Sequence, residues 1–351
     1  MTGPTLDAVR ESLWRAVAEG DEHTAVSVVR RARESGTDRE TLLVDVVADT
    51  QRRIGAAWAQ NRLTVAREHA ATAINDRIIT LITAPEERTG PSPRGGRVTV
   101  ACVEGEWHAL PARLVAEVLR LRGLRVDFLG AQTPARYLVT HLHRTRADAV
   151  LLSSSLPTRL PSAHAAISAC HAIGTPVLVG GAAFGPDGHY ARRLGADAWA
   201  PGARQAADIV AAGLARPAPA GLRQPVEDLP HLADQEYTLV ARARSRLVRQ
   251  TLAGLGDRVA AVRDYDDEQR ERTAEDLAHI VDFLSAALYV DDVALFSHFL
   301  TWTADVLTAR EVPARSLLPA LDLLAQELHE FPRARRLLSA GAAALTDRPR
   351  P

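Results

Sequence analysis

The stretch that most constrains this chain is residues 97–130, where an apolar run, a polar loop, a helical pattern and a second apolar run follow in order. Arg97-Val98-Thr99-Val100-Ala101-Cys102-Val103 is apolar without strict alternation, which suits a strand buried on both faces of a parallel sheet. The loop Glu104-Gly105-Glu106-Trp107-His108-Ala109-Leu110-Pro111 follows. Leu114, Val115, Val118 and Leu119 then recur at helical spacing until Gly123 stops them. Leu124-Arg125-Val126-Asp127-Phe128-Leu129, closed by Gly130, reads as the second strand. Glu106, Trp107 and His108 therefore sit at the carboxyl end of a first strand, where open α/β sheets bind their ligands.

The alternation continues. Ala149–Ser153, Pro176–Val179 and Asp197–Ala200 read as further strands, with helical segments at 134–145, 162–173, 188–194 and 203–214. Parallel strands with crossover helices predict a flavodoxin-like (Rossmann-like) order, 2-1-3-4-5, over residues 97–215. The switch point then lies between strands one and three. The loop after strand three is Ser153-Ser154-Ser155-Leu156-Pro157-Thr158, and the loop after strand four begins Gly180-Gly181. Small hydroxyl residues and paired glycines let backbone approach a large flat ligand and hydrogen-bond its tail, although a Gly-Gly pair also serves as an ordinary turn.

Residues 1–84 read as four helices, at 6–18, 22–33, 38–58 and 64–82, and the short connections favour a four-helix bundle. Leu43, Val47, Ile54 and Trp58 share one face of the third. Trp58 ends that helix and Glu68-His69 lie one turn into the next. Antiparallel packing then puts all three at one end of the bundle. There they either face a common ligand, or Trp58 closes the core while Glu68 and His69 are solvated. Residues 85–96 and 216–235 are Pro- and Gly-rich and read as linkers. Residues 236–346 read as a third, all-helical domain with apolar stripes at Val281, Leu284, Leu288 and at Leu295, Phe299, Trp302, Val306.

With 42 basic and 43 acidic residues the chain has no global positive charge with which to hold nucleic acid. Every basic residue is Arg, since the chain lacks lysine. No apolar run reaches membrane-spanning length and no secretory signal begins the chain, so a cytoplasmic protein without membrane contact is expected. Cys102 and Cys170 both lie in apolar segments and are expected to be free core thiols.

Glu106-x-His108-x-x-Pro111 resembles the Asp-x-His-x-x-Gly loop of cobalamin-binding Rossmann-like domains, with a longer acid and without the glycine. Trp58-x9-Glu68-His69 resembles the signature of the light-sensing cobalamin proteins. The resemblance implies that His108 binds cobalt from below, with its other ring nitrogen on the Glu106 carboxylate. It also implies that the bundle caps the upper face of adenosylcobalamin through Trp58, Glu68 and His69. Ser154-x-Leu156, Thr158, Gly180 and Gly181 would line the slot for the nucleotide tail.

A bundle and cobalamin domain followed by a helical, globin-like third domain resembles the photocobilins. That family implies a bilin, biliverdin, in the third domain. No cysteine follows Cys170, so a thioether link there is impossible and the bilin must be held non-covalently. Tyr289, His298 and Trp302 are candidates for its slot, and Arg242, Arg246 or Arg249 for its propionates, although an ordinary core and a solvated arginine face read equally well.

The expected function is a light sensor rather than an enzyme. Its output is a light-dependent change in domain arrangement or homo-oligomeric assembly, read by a downstream effector that the sequence does not name. A corrinoid methyl-carrier protein is the alternative. A cobalamin-dependent DNA regulator would need a basic winged helix ahead of the bundle, which begins near residue 5, so direct DNA binding is not expected. Where light-sensing relatives carry a second cobalt-capturing His after the Trp, this chain has Ala59.

Overall fold

The computed structural model describes residues 5–84, 95–217 and 224–348. The expected 85–96 linker lies outside these residues except for Gly95 and Gly96. The chain divides into two compact units, Met1–Arg223 and Gln224–Pro351.

The first unit opens with α1 (Leu6–Glu19), α2 (Glu22–Glu34), α3 (the abutting stretches Arg39–Thr41, Leu42–Val47 and Ala48–Ala59) and α4 (Val65–Thr83). Thr5, Asp21, Asp38 and Thr64 cap the four starts, each accepting a backbone N–H of the first turn. The third helix has the expected extent but not the expected winding. Leu42–Val47 is π-helical, and this wider turn puts Leu42, Leu43, Val46 and Val47 all in the core. Apolar spacing alone does not distinguish a π turn from an α turn.

The sheet follows as β1 (Arg97–Val103), α5 (Ala109–Leu121), β2 (Arg125–Thr133), α6 (Ala135–Thr145), β3 (Ala149–Ser153), α7 (Leu160–Ala172), β4 (Val177–Gly180), α8 (His189–Arg193), β5 (Ala198–Ala200) and α9 (Ala203–Ala212). All pairings are parallel and the strand order is β2-β1-β3-β4-β5, as the sequence predicts. Strand β2 does not close at Gly130. It runs on to Thr133 because Gly130 (φ 77°) and Gln132 (φ 50°) absorb shifts in the β1–β2 register rather than ending it.

Bundle and sheet share one hydrophobic core. Leu42, Leu43, Val46, Ile78 and Ile82 of the helices join Leu114, Val118, Val100, Leu151 and Leu178 of the α/β part. Polar ties rim this core. Arg204 makes a two-pronged ion pair with Asp45 at 2.6 and 2.9 Å, Arg122 pairs with Glu40 at 2.8 Å, and Arg113 pairs with Asp76 and donates to Thr80. Cys102 and Cys170 are free and buried, and burial pushes both thiols up to about 12.

The second unit is helical: α10 (Glu236–Arg258), α11 (Asp267–Val290), α12 (Val293–Ala309), α13 (Leu318–Glu327) and α14 (Pro332–Thr346). Helix α12 starts at Val293, because Asp291 adopts φ 46° and Asp292 caps the helix through Ala294 N–H. Part of the expected 216–235 linker is not one. Pro225 and Pro230 open short helical turns, and Arg333 binds both Asp234 and the carbonyl of His231. The buried Glu236 carboxylate caps α14 through the N–H groups of Arg333 and Ala334. Residues 218–223 lie outside the described residues.

A shared core predicts shared unfolding. Leu43→Ala, at a fully buried position, is expected to lose about 2–5 kcal/mol. Hydrogen exchange should show α1–α4 and β1–β4 losing protection together.

Candidate functional site

Gly105 adopts φ 80° just after β1 and turns the chain so that Glu106 points inward and His108 outward. The Glu106 carbonyl accepts from Gln132 N–H at 3.0 Å, so the extension of β2 past Gly130 holds the loop from one side. The Glu106 side chain is fully buried. Its Oε1 accepts from the His108 backbone N–H at 2.9 Å and lies 2.5 Å from the ring Nδ1. Its Oε2 accepts from Ser155 N–H at 2.6 Å, Leu156 N–H at 3.2 Å and Ser154 Oγ at 3.3 Å.

Burial works against the charge on Glu106. The His108 ring, its backbone N–H and the Ser155 N–H overcome that penalty and hold the carboxyl at about 2. The same bond raises the His108 imidazole; burial opposes the rise, the charges of Glu106 and Glu68 add to it, and Arg159 counters it. With Glu106 ionised, the shared proton lies on Nδ1, and in the neutral ring Nε2 carries the free lone pair. The His108 side chain is 56% exposed, so that lone pair is available to a ligand. A metal-binding His held by a carboxylate on its far nitrogen has this form.

The loops after β3 and β4 support this arrangement. Gly181 has φ 101° and ψ 164°, a region only glycine occupies readily. A Cβ there would stand 2.2 Å from the Ser154 carbonyl oxygen. Ser154 is buried with its hydroxyl on Glu106, while Leu156 and Thr158 are half-buried beside it. Trp107 stands 71% exposed.

On the bundle, Trp58 is half-buried at the end of α3, Glu68 is half-buried on the first turn of α4, and His69 is exposed. His69 Nε2 lies 3.5 Å from Glu68 Oε2. The other Glu68 oxygen ends a chain of hydrogen bonds from the bundle interior. Asn75 Nδ2 donates to Gln51 Oε1 at 2.8 Å, Gln51 Nε2 to Thr72 Oγ1 at 2.8 Å, and Thr72 Oγ1 to Glu68 Oε1 at 2.9 Å. The sequence reading missed Gln51, Thr72 and Asn75. Their signal was present, since Glu68, Thr72 and Asn75 recur at i, i+4 and i+7 on one helix face. The charge of Glu68 acts on the His108 ring and adds to the rise of its imidazole.

In the second unit, Tyr289 is buried edge-on against Tyr237, with ring centroids 4.7 Å apart. His298 and Trp302 lie exposed on α12, and Arg242, Arg246 and Arg249 lie exposed on α10. A cleft of about 670 Å³ lies between α13 and α14, over Leu318, Leu321 and Leu338, with Arg335 and Arg336 beside it.

The site fits a corrinoid on two counts. It presents one outward imidazole lone pair, which is what a metal already held in a macrocycle needs. It also has a glycine cradle against Ser154 that no other residue could form without strain. Among the described residues no cluster of three or more His, Cys, Asp or Glu could hold a bare metal ion.

Residues 96–210 match a family model described as a B12 binding domain, and residues 9–83 match a second model of the same description. Neither extends into the second unit. The chain is 33% identical over 186 residues to the HTH-type transcriptional repressor CarA of Myxococcus xanthus, covering 51% of this chain and 59% of that protein. It is 24% identical over 204 residues to the trimethylamine corrinoid protein of Methanosarcina barkeri, covering 57% of this chain and 93% of the relative. The solved monomethylamine corrinoid protein of Methanosarcina barkeri superposes with a TM-score of 0.50 at 16% identity, covering 59% of this chain and 98% of that one. That likeness speaks to the fold, a parallel sheet with a helical domain. The two family matches support cobalamin as the ligand class. Among the described residues no helix is long and apolar enough to cross a membrane.

The Glu106 carboxyl lies below its ordinary value, so the stability it contributes is present above about pH 4.5 and is lost as pH falls toward 2. That contribution is on the order of 3 kcal/mol for a shift of this size. Glu106→Gln should be less stable at pH 6 and show a flatter acid limb over this window in chemical denaturation. Gly181→Ala should lose about 1–3 kcal/mol from its backbone conformation alone, measured by thermal melting.

Proposed function

We propose that this protein is a light sensor that holds adenosylcobalamin between the bundle and the sheet, base-off, with His108 Nε2 on cobalt. The observation that carries the reading is the buried Glu106 carboxylate, which accepts a hydrogen bond from His108 Nδ1–H and leaves Nε2 outward. Bound, the cofactor supplies a cobalt–carbon bond that light can break. The chain's own residues do the rest. Glu106 keeps His108 in one tautomer, Gly181 and Ser154 shape the slot, and Trp58, Glu68 and His69 cover the upper face.

Light sensing, as distinct from corrinoid binding, rests on the Trp58-x9-Glu68-His69 pattern. The route for a signal is α3. It carries Trp58 at one end, and Glu40 and Asp45, paired with Arg122 and Arg204, toward the other. A change in packing at Trp58 therefore reaches the polar ties that fix the bundle to the sheet. The output is a change in assembly of this chain with itself, passed to an effector in the cytoplasm.

Biliverdin, held non-covalently, is assigned to the second unit. The cleft of about 670 Å³ supports this reading, with a volume in the range of organic ligand sites. Tyr289, His298, Trp302, Arg246 and Arg249 remain the contacts that the sequence proposes, and the cleft adds Leu318, Leu321, Arg335 and Arg336 as further candidates.

A second reading has its own support. The trimethylamine corrinoid protein aligns over nearly its whole length with this chain, so a methyl-carrier role is kept.

Reconstitution with adenosylcobalamin and biliverdin separates these readings. A His-ligated spectrum in the dark, bleached by green light with a change in oligomeric mass by light scattering, is the expected result. His108→Ala should lose the His-ligated spectrum, and Trp58→Ala should change the photolysis rate. Methyl transfer from a donor without any light response would favour the carrier. A red absorption band should appear with biliverdin, and Arg335→Ala with Arg336→Ala should weaken it.

A further inference from the structure

Among the described residues of the first unit, Arg159 is the arginine with a buried side-chain nitrogen that no hydrogen-bond partner satisfies. It follows Thr158 in the loop after β3 and caps the start of α7, its backbone N–H bonded to Leu156 O at 2.9 Å. Its guanidinium lies flat on Gly105. A Cβ at Gly105 would stand 2.9 Å from Nη1, 3.1 Å from Cζ and 3.2 Å from Nε. The Nε is buried and has no hydrogen-bond partner among the described residues. Nor does any carboxylate there pair with this cation, whereas Arg97, Arg113, Arg122 and Arg204 each grip one. The guanidinium is also near enough to His108 for its charge to act on the ring. A cation with a buried, unsatisfied N–H beside an imidazole is costly to the protein alone.

We propose that Arg159 is a corrinoid-binding residue whose guanidinium, seated on Gly105 beside the His108 loop, donates to an oxygen of the bound cofactor. The inference rests on the corrinoid reading above and names a contact that neither loop signature contains. Arginine suits the task because its planar fork presents several fixed donors to an oxygen pair. Two sources share that acceptor chemistry: the phosphate of the nucleotide tail, and the amide carbonyls on the rim of the ring. Gly105 is then required for space as well as for its backbone conformation, because a side chain there would displace the guanidinium.

The test compares wild type, Arg159→Leu and Arg159→Lys as full-length apo protein titrated with aquocobalamin and with cobinamide, which lacks the nucleotide phosphate. Affinity is read from the absorption spectrum and from the ligand-induced rise in Tm. Arg159→Leu should bind aquocobalamin at least about tenfold more weakly, the scale of one hydrogen bond to a charged group. Arg159→Lys should recover only part of the loss. The apo Arg159→Leu protein should melt at or above wild type, since an unpaired cation has been removed; a purely structural arginine would lower that Tm. Loss confined to aquocobalamin assigns the oxygen to phosphate, and equal loss with both assigns it to ring amides. Wild-type affinity in Arg159→Leu, or a lower apo Tm that accounts for the whole loss, overturns the proposal. Failure of wild type to bind either corrinoid overturns the reading on which it rests.

Discussion

The buried carboxylate of Glu106 holds the site together. A full negative charge out of water is tolerable only if its lone pairs are taken up, and here four protein groups and one ring nitrogen surround it. Those donors come from the loops after β1 and β3, which flank the switch point of the sheet. One side chain therefore sets the tautomer of His108, orients its ring and fixes the spacing of the two loops. The extra methylene of glutamate over aspartate suits this role, since Oε2 must reach the backbone of Ser155 and Leu156 while Oε1 stays on His108.

The bundle approaches the site through an internal polar thread. Asn75, Gln51 and Thr72 pass donors outward to Glu68, so that Glu68 Oε1 is an acceptor in a fixed position. Networks of this kind specify one geometry because each member has a single satisfying orientation. Two carboxylates are thus held in place by hydrogen bonds, Glu68 on the bundle and Glu106 beside the imidazole. The π-helical stretch of α3 lies on the same helix as Gln51 and Trp58 and seats that helix in the common core.

The corrections to the sequence reading have particular causes. Strand β2 passes Gly130 because a glycine in the left-handed region can form a bulge as readily as a stop, and the neighbouring strand decides which. The segment around Pro225 and Pro230 is folded because proline starts a helical turn as well as it breaks one, and Arg333, a hundred residues on, holds it.

What the sequence by itself determined was the alternation that builds the parallel sheet, its strand order, the four helices of the bundle and the loop that carries Glu106 and His108. These are local or periodic properties, written in residues a few positions apart. The tertiary structure alone decided that Glu106 would be buried and tied to Ser154, Ser155 and Leu156, that Gln51 would meet Thr72 and Asn75, and that Arg159 would rest on Gly105 without a carboxylate. Each of these joins residues about 20 to 50 positions apart in the chain. Their energies depend on burial and distance, which a linear order of residues does not contain.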